Sequence, residues 1–317
     1  MKISVVIPAY NAAMTIEATL NSVLAQAMSP YEILVFDDGS TDDTSVILES
    51  FKSRIRVFKQ TNHGVAFARN FLCEQASGDI IAFLDHDDVW HPSYLETQSK
   101  VIERHPGAIA YFTEHENLIG YENYMWEMQS AGRPTVSEVV NPSDFILRYS
   151  KAPMSYQISC CCVPRKVLKQ IGKEPFPVSI SGADDVYMHN ILPLFGPIVY
   201  TPIPLVVYRI TSSSISVNRL KMVLLSAGVC KLLEERYVAA NDSVLYDAFK
   251  LLYASRLRNC GKYLMGAART QDARGQFWDS IKITKRSASM IKSLMLLLLT
   301  YMPKRLQPQW PLSYRLL

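Results

Sequence analysis

The sequence predicts an α/β protein: a mostly parallel sheet flanked by helices, with a helical region after it. Three observations carry this expectation. Through about residue 112, short apolar runs alternate with helix-length segments, the pattern of βαβ units on a parallel sheet. The chain has 317 residues, 49% hydrophobic and 20% charged, enough for one large core and an appendage. Charge is uneven: residues 256–317 hold twelve Lys or Arg against Asp272 and Asp279, a balance of +10, which leaves −6 for residues 1–255 within the overall +4. A basic tail points to an anionic partner, and an acidic body argues against nucleic-acid binding.

The elements follow in order. ISVVIP at 3–8 reads as a buried strand, and TIEATLNSVLAQA opens on the capping residue Thr15 with apolar residues at helical spacing. YEILVF at 31–36 is a second strand, closed by DDGSTDDT, and Thr44 to Phe51 is the next helix. RVF at 56–58, a helix from Val65 to Gln75 after Gly64, and the strand DIIAFL at 79–84 complete the series. Met1 and Lys2 run into Ile3–Ile7, too short for a signal peptide and closed by Pro8, so a structural N-terminus is expected.

In an open parallel sheet, ligands bind beyond the carboxyl ends of the strands. Pro8-Ala9-Tyr10-Asn11 follows the first strand, Asp37-Asp38-Gly39-Ser40 the second and Asp85-His86-Asp87-Asp88 the fourth, so all three clusters are expected on one rim. Carboxylates gathered there repel, since two unit charges about 4 Å apart interact by about 4 kcal/mol at an effective dielectric of about 20. A hard divalent cation, Mn2+ or Mg2+, relieves the repulsion and prefers a few carboxylates together with substrate phosphates. A nucleotide diphosphate is the expected partner, although neither G-x-x-x-x-G-K-[ST] nor a G-x-G-x-x-G after the first strand is present. Phosphate charge then falls to the metal and to Arg69.

The succession SVVIPAYN, ILVFDDGSTDDT, NHGVAFARN and GDIIAFLDHDD resembles the family 2 glycosyltransferases, inverting enzymes of the GT-A fold. Four motifs in order make the match specific. It covers the first two thirds of the chain and hardly touches the last third. The resemblance implies a GT-A type, Rossmann-like domain with a donor-binding half at 1–112 and an acceptor-binding and catalytic half at 113–215; the residues themselves add a basic helical region at 216–317. It implies that Pro8, Tyr10 and Asp38 hold the nucleoside, with Asp38 at the base and Asn11 in the same stretch. Arg69 of ARN matches a donor-contacting arginine. Asp85-His86-Asp87 matches a D-x-D element, with Asp87 as metal ligand, Asp85 near the ribose and His86 at the donor. A UDP-sugar is the favoured donor.

An inverting transfer also needs a base for the acceptor hydroxyl, a device that contributes about 10² to 10⁴ in rate. The family's acidic pair at the start of a downstream helix is matched by Gly182-Ala183-Asp184-Asp185-Val186-Tyr187, with Asp185 in the base position. The residues alone agree, because Ser181 or Asp184 can cap a helix running to Leu194. Capping by itself explains two aspartates there equally well. DDGS is turn chemistry wherever it occurs, Asp42 and Asp43 read as solvated or capping, and His91 as a surface residue. Trp90 is either core or a sugar platform, and Arg69 on a helix face has a solvated alternative. One position departs from the family: after the strand LVVYR a common histidine is replaced by Thr211, within ITSSSIS, leaving Arg209 and the serines as substitutes at the metal or diphosphate.

Between Thr113 and Gly182, Tyr121, Tyr124, Trp126 and Tyr156 suit stacking on sugar faces, with core packing as the alternative. SCCCVPRKVLKQIG reads as a strand, then a helix with Pro164 in its first turn and Gly172 past its end. Consecutive cysteines at 160, 161 and 162 point to opposite strand faces and form no disulfide framework, so a reduced, cytoplasmic setting is expected. In the tail, the uncharged run from Ser293 to Pro303 is half the roughly 20 residues a spanning helix requires. Surrounded by Lys282, Lys285, Arg286, Lys292, Lys304 and Arg305, it fits either a helix in the headgroup layer of an anionic leaflet at the inner face of the plasma membrane, or a buried helix of a small subdomain. The membrane alternative makes a polyprenyl-linked saccharide the natural acceptor; homo-oligomerisation stays open.

Two rival functions remain at this point. FLDHDDVW also fits the D-x-D-x-V pattern of haloacid-dehalogenase-type phosphatases, with Asp85 as a covalent nucleophile, although SVVIPAYN and DDGS have no part in that chemistry and the expected Lys has no clear candidate. A sugar-nucleotide-binding protein without turnover is the other. The expectation is a metal-dependent inverting glycosyltransferase acting from a nucleotide-diphosphate sugar on a hydroxyl acceptor, in bacterial surface polysaccharide or glycolipid synthesis.

Overall fold

The computed structural model describes residues 1–120, 136–151, 156–210, 218–284, 288–303 and 307–308. Its elements are β1 (Ile3–Ala9), α1 (Ile16–Leu24), β2 (Glu32–Asp37), α2 (Thr44–Ser50), β3 (Arg56–Lys59), α3 (Val65–Gln75), β4 (Ile80–Phe83), β5 (Val89–Trp90), α4 (Tyr94–Arg104), β6 (Ala110–Ile119), β7 (Glu138–Val140) and α5 (Pro142–Lys151). They continue with β8 (Cys161–Pro164), α6 (Arg165–Ile171), α7 (Asp184–Ile191), β9 (Ile198–Ile210), α8 (Arg219–Ala239), α9 (Ser243–Gly266), α10 (Thr270–Ile283) and α11 (Ala288–Leu299). Two compact units result, Met1–Asn141 with Met154–Ser214, and Pro142–Pro153 with Ile215–Leu317.

The first unit is an α/β sheet of order β3-β2-β1-β4-β8-β6-β9-β5, with β7 added on β9. The first four strands are parallel throughout, as the alternating apolar runs predict. Beyond β4 the sheet is mixed: β8 runs antiparallel to both β4 and β6, and β6 pairs parallel with β9. Every residue of β1 is buried, because helices cover both faces of this part of the sheet. Alternation sorts its side chains: Val5 and Ile7 join Ile16, Leu20 and Val23 of α1 in one core. On the opposite face Phe36 meets Phe67 and Phe71 of α3 at ring-centroid distances of 5.9 and 5.1 Å.

The cysteine triplet is split, with Cys160 closing a 3-10 turn and Cys161 and Cys162 in β8. All six cysteines are free. Burial pushes the Cys162 thiol up to about 12, so it behaves as a small apolar side chain. Trp90 is core: it is buried, stacks on Tyr94 at 4.1 Å and donates from Nε1 to the Ser159 carbonyl at 2.8 Å. Tyr156 is likewise buried, edge-on to Phe112 at 5.6 Å. Tyr121, Tyr124 and Trp126 lie outside the described residues.

The second unit is helical. Asn218 caps α8 by accepting from Lys221 N at 3.1 Å, and Asp242 caps α9 from Leu245 N at 2.9 Å. Tyr237 and Phe249 stack at 4.0 Å where these helices meet. α5 packs on α9, with its Phe145, Ile146 and Tyr149 buried and the Arg256 guanidinium 5.1 Å from the centre of the Tyr149 ring. Among the described residues, no helix is long and apolar enough to cross a membrane.

Candidate active site

The loops after β1 and β2 are tied together. Pro8 is buried within β1 opposite Phe36, and Tyr10 follows with 43% of its surface exposed. Asn11 adopts φ 48, a region Asn tolerates, and its Oδ1 accepts from Thr41 N at 2.8 Å while its own N donates to Ser40 Oγ at 3.0 Å. Asp37 is buried. Burial raises its pKa, but hydrogen bonds from Ser40 and Ser45 and the charge of Lys59 outweigh it and hold the carboxyl below the usual range. Asp38, also buried, accepts from His63 N at 2.7 Å and Gly64 N at 2.8 Å, fixing the entrance to α3. Gly64 has φ +90, and a Cβ there would lie 2.9 Å from Ser181 Oγ. The segment before α7 therefore closes against the start of α3.

Arg69 is the next link, and it is not solvated. It lies buried on α3, donating from Nη2 to Asp85 Oδ1 and from Nη1 to Asp184 Oδ2, each at 2.5 Å. Burial would lower its pKa, but Asp85, Asp184 and Asp185 together raise it, so the guanidinium stays charged.

The acidic loop is held from three sides. Thr19 Oγ1 of α1 lies 2.8 Å from both the His86 and Asp88 carbonyl oxygens. Ser159 Oγ donates to Asp88 Oδ2 at 2.5 Å and accepts from Asp85 N at 3.0 Å. Arg209 N, on β9, donates to Asp88 Oδ1 at 3.1 Å. The His86 ring meets Thr15 Oγ1 at 3.4 Å, and His91, half-buried rather than on the surface, places Nδ1 2.8 Å from Ser93 Oγ. Burial raises the Asp87 carboxyl above its ordinary range, with Asp85 adding to the shift and His86 and Arg209 opposing it. Asp88 is pushed well above the usual range by burial and by Asp87 and Asp85.

Asp85, Asp87 and Asp88 each offer a carboxylate oxygen, all within 4.8 Å of one another. An all-oxygen donor set at this spacing fits Mg2+ or Mn2+. Both oxygens of Asp88 already accept protein hydrogen bonds, which leaves Asp87 and Asp85 as the better ligands. The buried Arg209 side chain supplies a cation beside Asp87 and Asp88, its pKa lowered by burial and raised by those two carboxylates. Thr211 and the serines after it lie outside the described residues.

At α7 the capping expectation is corrected. Ala183 occupies the N-cap, and no side chain caps the helix. Ser181 faces the start of α3, while Asp184 Oδ1 accepts from Gly182 N at 2.9 Å and its other oxygen serves Arg69. Asp185 Oδ1 accepts from the N–H of its neighbour Val186 at 2.7 Å. Burial, with Asp184 adding and Arg69 opposing, raises Asp185 to about 6. A carboxylate tuned there is suited to take a proton near neutrality.

The structure therefore links Asp38, Arg69, Asp85 and α7 by a continuous set of contacts within one unit. Sequence reasoning did not single out Ser159, and it read Asp184 as a cap and Asp88 only as a member of the acidic cluster, not as the partners of Arg69 and of Ser159 and Arg209; the signal available for Asp184 was that two adjacent aspartates cannot both face the same way on a helix. Asp85 is bonded to Arg69 and is not the free nucleophile a dehalogenase-type phosphatase requires.

Residues 4–172 match the family described as glycosyl transferase family 2. Over 228 residues the chain is 32% identical to an Escherichia coli protein named UDP-Glc:alpha-D-GlcNAc-diphosphoundecaprenol beta-1,3-glucosyltransferase WfgD, covering 69% of this chain and 81% of that one. A second Escherichia coli relative of the same description, WfaP, is 31% identical over 72% of this chain and 85% of its own. Among solved structures, S. aureus TarS 1-349 in complex with UDP-GlcNAc superposes with TM-score 0.70 at 20% identity, covering 95% of this chain and 89% of that chain. The chain spans 54% of the longer TarS structure. With the D-x-D element Asp85-His86-Asp87 at the end of a parallel strand and a family match over more than half its length, the chain belongs to glycosyl transferase family 2 and is a glycosyltransferase.

Proposed function

We propose that this enzyme transfers a hexosyl group from a UDP-sugar to a hydroxyl of a polyprenyl-diphosphate-linked saccharide, with inversion, in the building of a bacterial surface polysaccharide. The names of the two Escherichia coli relatives support the donor and acceptor class. One observation of this chain carries the mechanism: Arg69 joins Asp85 of the acidic loop to Asp184, the immediate neighbour of Asp185.

In this reading Pro8, Tyr10, Asn11 and Asp38 bind the nucleoside, and Asp85 and His86 face the ribose and diphosphate. Arg69 stays at the donor side as the group that locks Asp85 to α7. Asp87, with Asp85, would hold Mn2+ or Mg2+; when bound, the ion offsets the charge of the departing diphosphate. Arg209 adds positive charge at the same place. Asp185 takes the proton of the acceptor hydroxyl as its oxygen attacks the anomeric carbon. The bond from that carbon to the diphosphate breaks on the opposite face, and its electron pair leaves with UDP. The setting is the cytoplasmic side of the membrane that carries the polyprenyl acceptor.

The test is UDP release from a panel of UDP-sugars with Mn2+ and a polyprenyl-diphosphate GlcNAc acceptor, alongside calorimetric donor binding. Asp185→Asn should retain donor affinity and lose transfer. Unchanged transfer in that variant, or no binding of any UDP-sugar, overturns the proposal; donor binding with no transfer to any acceptor by the unaltered enzyme returns the non-catalytic reading.

A further inference from the structure

α11 carries its polarity in reverse. Its inward side holds hydroxyls: Ser293 is fully buried with Oγ 2.6 Å from Ser280 Oγ, and Arg258 Nη1 donates to Ser289 Oγ at 2.7 Å and to Ser293 Oγ at 3.2 Å. Just past the end of the helix Thr300 is buried too, accepting from Arg274 Nε at its Oγ1 (3.1 Å) and from Arg274 Nη2 at its carbonyl (3.0 Å). Leu296 and Leu297 are the helix's contribution to the apolar cluster around Phe277. The opposite side is Ile291, Leu294, Met295 and Leu298, followed by Tyr301 and Met302, all exposed. The first four stand at i, i+3, i+4 and i+7, one continuous stripe. A helix packed on a core in water normally shows leucines inward and hydroxyls outward, so the outer stripe of α11 is built for an apolar medium. An exposed apolar row of this kind marks an interaction surface.

Charge decides which one. Lys282, Lys285 and Arg286 precede the exposed stripe, Lys292 lies within it, Lys304 and Arg305 follow it, and residues 256–317 contain no glutamate and only two aspartates. A second copy joined through this face would set the same positive charge against itself across a two-fold axis. An anionic leaflet attracts it. The helix is too short to cross, so it must lie in the plane of the interface.

We propose that the outward face of α11 seats in the headgroup layer of an anionic bilayer, with Ile291, Leu294, Met295 and Leu298 below the phosphates and the basic character of the surrounding sequence drawing the helix to anionic lipid. This deepens the membrane setting proposed above, yet it does not depend on which sugar is moved, so binding and chemistry can be read separately. The experiment is co-sedimentation of the full chain with acceptor-free vesicles of phosphatidylcholine containing about 30% phosphatidylglycerol. Binding is expected there, weakening as salt rises, and none on phosphatidylcholine alone. Ile291→Glu with Leu298→Glu should lower the partition coefficient by about tenfold or more, while the melting temperature and UDP-sugar binding stay unchanged because both side chains are already in water. If that pair disturbs folding, Lys282→Glu with Lys292→Glu, both exposed, supplies the second arm and should abolish the preference for phosphatidylglycerol. Equal partitioning of wild type and both variants overturns the proposal, as does salt-independent binding to neutral vesicles. A dimer in solution that the Glu pair at 291 and 298 dissolves would assign the face to a second copy instead. Vesicle binding without sugar transfer leaves this assignment standing and counts against the function proposed above.

Discussion

Arg69 Nη1 and Asp184 Oδ2, from residues 115 positions apart in the chain, meet at 2.5 Å with both side chains buried. Breaking a buried pair by removing one member leaves the other charge without compensation. Arg69→Ala should therefore destabilise the first unit by about 3–5 kcal/mol, measured by urea unfolding. Arg69→Lys should recover only part of this, because one ammonium cannot reproduce a fork that engages two carboxylates at once.

Asp185 sits beside that pair with its carboxyl raised to about 6. A base must be ionised to work, so transfer should be full above this value and fall as pH drops through about 6, with donor affinity changing less. Asp185→Asn should remove the acid limb and lower kcat by about 10² to 10⁴. Steady-state kinetics from pH 5 to 8, about three units wide, would show it. A profile flat through pH 6 counts against this role for Asp185.

Metal dependence is tested at Asp87. Chelation should abolish transfer reversibly, with Mn2+ or Mg2+ restoring it, and Asp87→Ala should weaken Mn2+ binding in the presence of UDP by about tenfold or more. Calorimetry reads the affinity directly. Undiminished Mn2+ binding in Asp87→Ala would move the ligand elsewhere in the acidic loop.

Ser159 is the hydroxyl that sets the conformation of that loop, through Asp88 Oδ2 and Asp85 N. Ser159→Ala leaves a buried carboxyl and a backbone N–H without this partner and should cost about 1–3 kcal/mol in stability. Because Asp88 then loses one of its two holds beside Asp87 and keeps the bond from Arg209 N, Mn2+ affinity should fall as well, which a purely structural serine would not cause.

His189 gives a stability prediction of its own. Burial, with the charge of Arg69 adding, pushes its imidazole down to about 3. The folded state keeps it neutral while the unfolded chain takes up a proton below about 6.5, so its contribution to stability is complete above that pH and is lost as pH falls toward 3. His189→Phe, packed as the ring now is against Phe112, should flatten the decline below about pH 6.5 in urea titrations.

The parallel half of the sheet was legible because β1, β2 and β4 are continuous apolar runs between polar punctuation, and the rim followed from the strand-end rule. The mixed half was not. β8 is four residues long and antiparallel to both neighbours, and nothing in CCVP announces its direction. At the site, the types of residue were readable and their pairings were not: the sequence offers Arg69 as a helix-face cation, and only the fold brings it between Asp85 and Asp184. Capping was a sound expectation for Asp184, overridden because a buried guanidinium is the stronger partner for a carboxylate than a helix N–H. Tyr156 and Trp90 had aromatic character that suited sugars, and burial assigns both to the core.

Finally, α5 belongs by packing to helices that are made much later. Its Phe145, Ile146 and Tyr149 are covered on α9, which begins only at Ser243. During synthesis this sticky segment must wait, uncovered, until α9 leaves the ribosome. Trimming the protein at residue 214 to isolate a sugar-handling fragment would make that wait permanent, and such a fragment should aggregate unless residues 142–151 are rewritten with polar side chains.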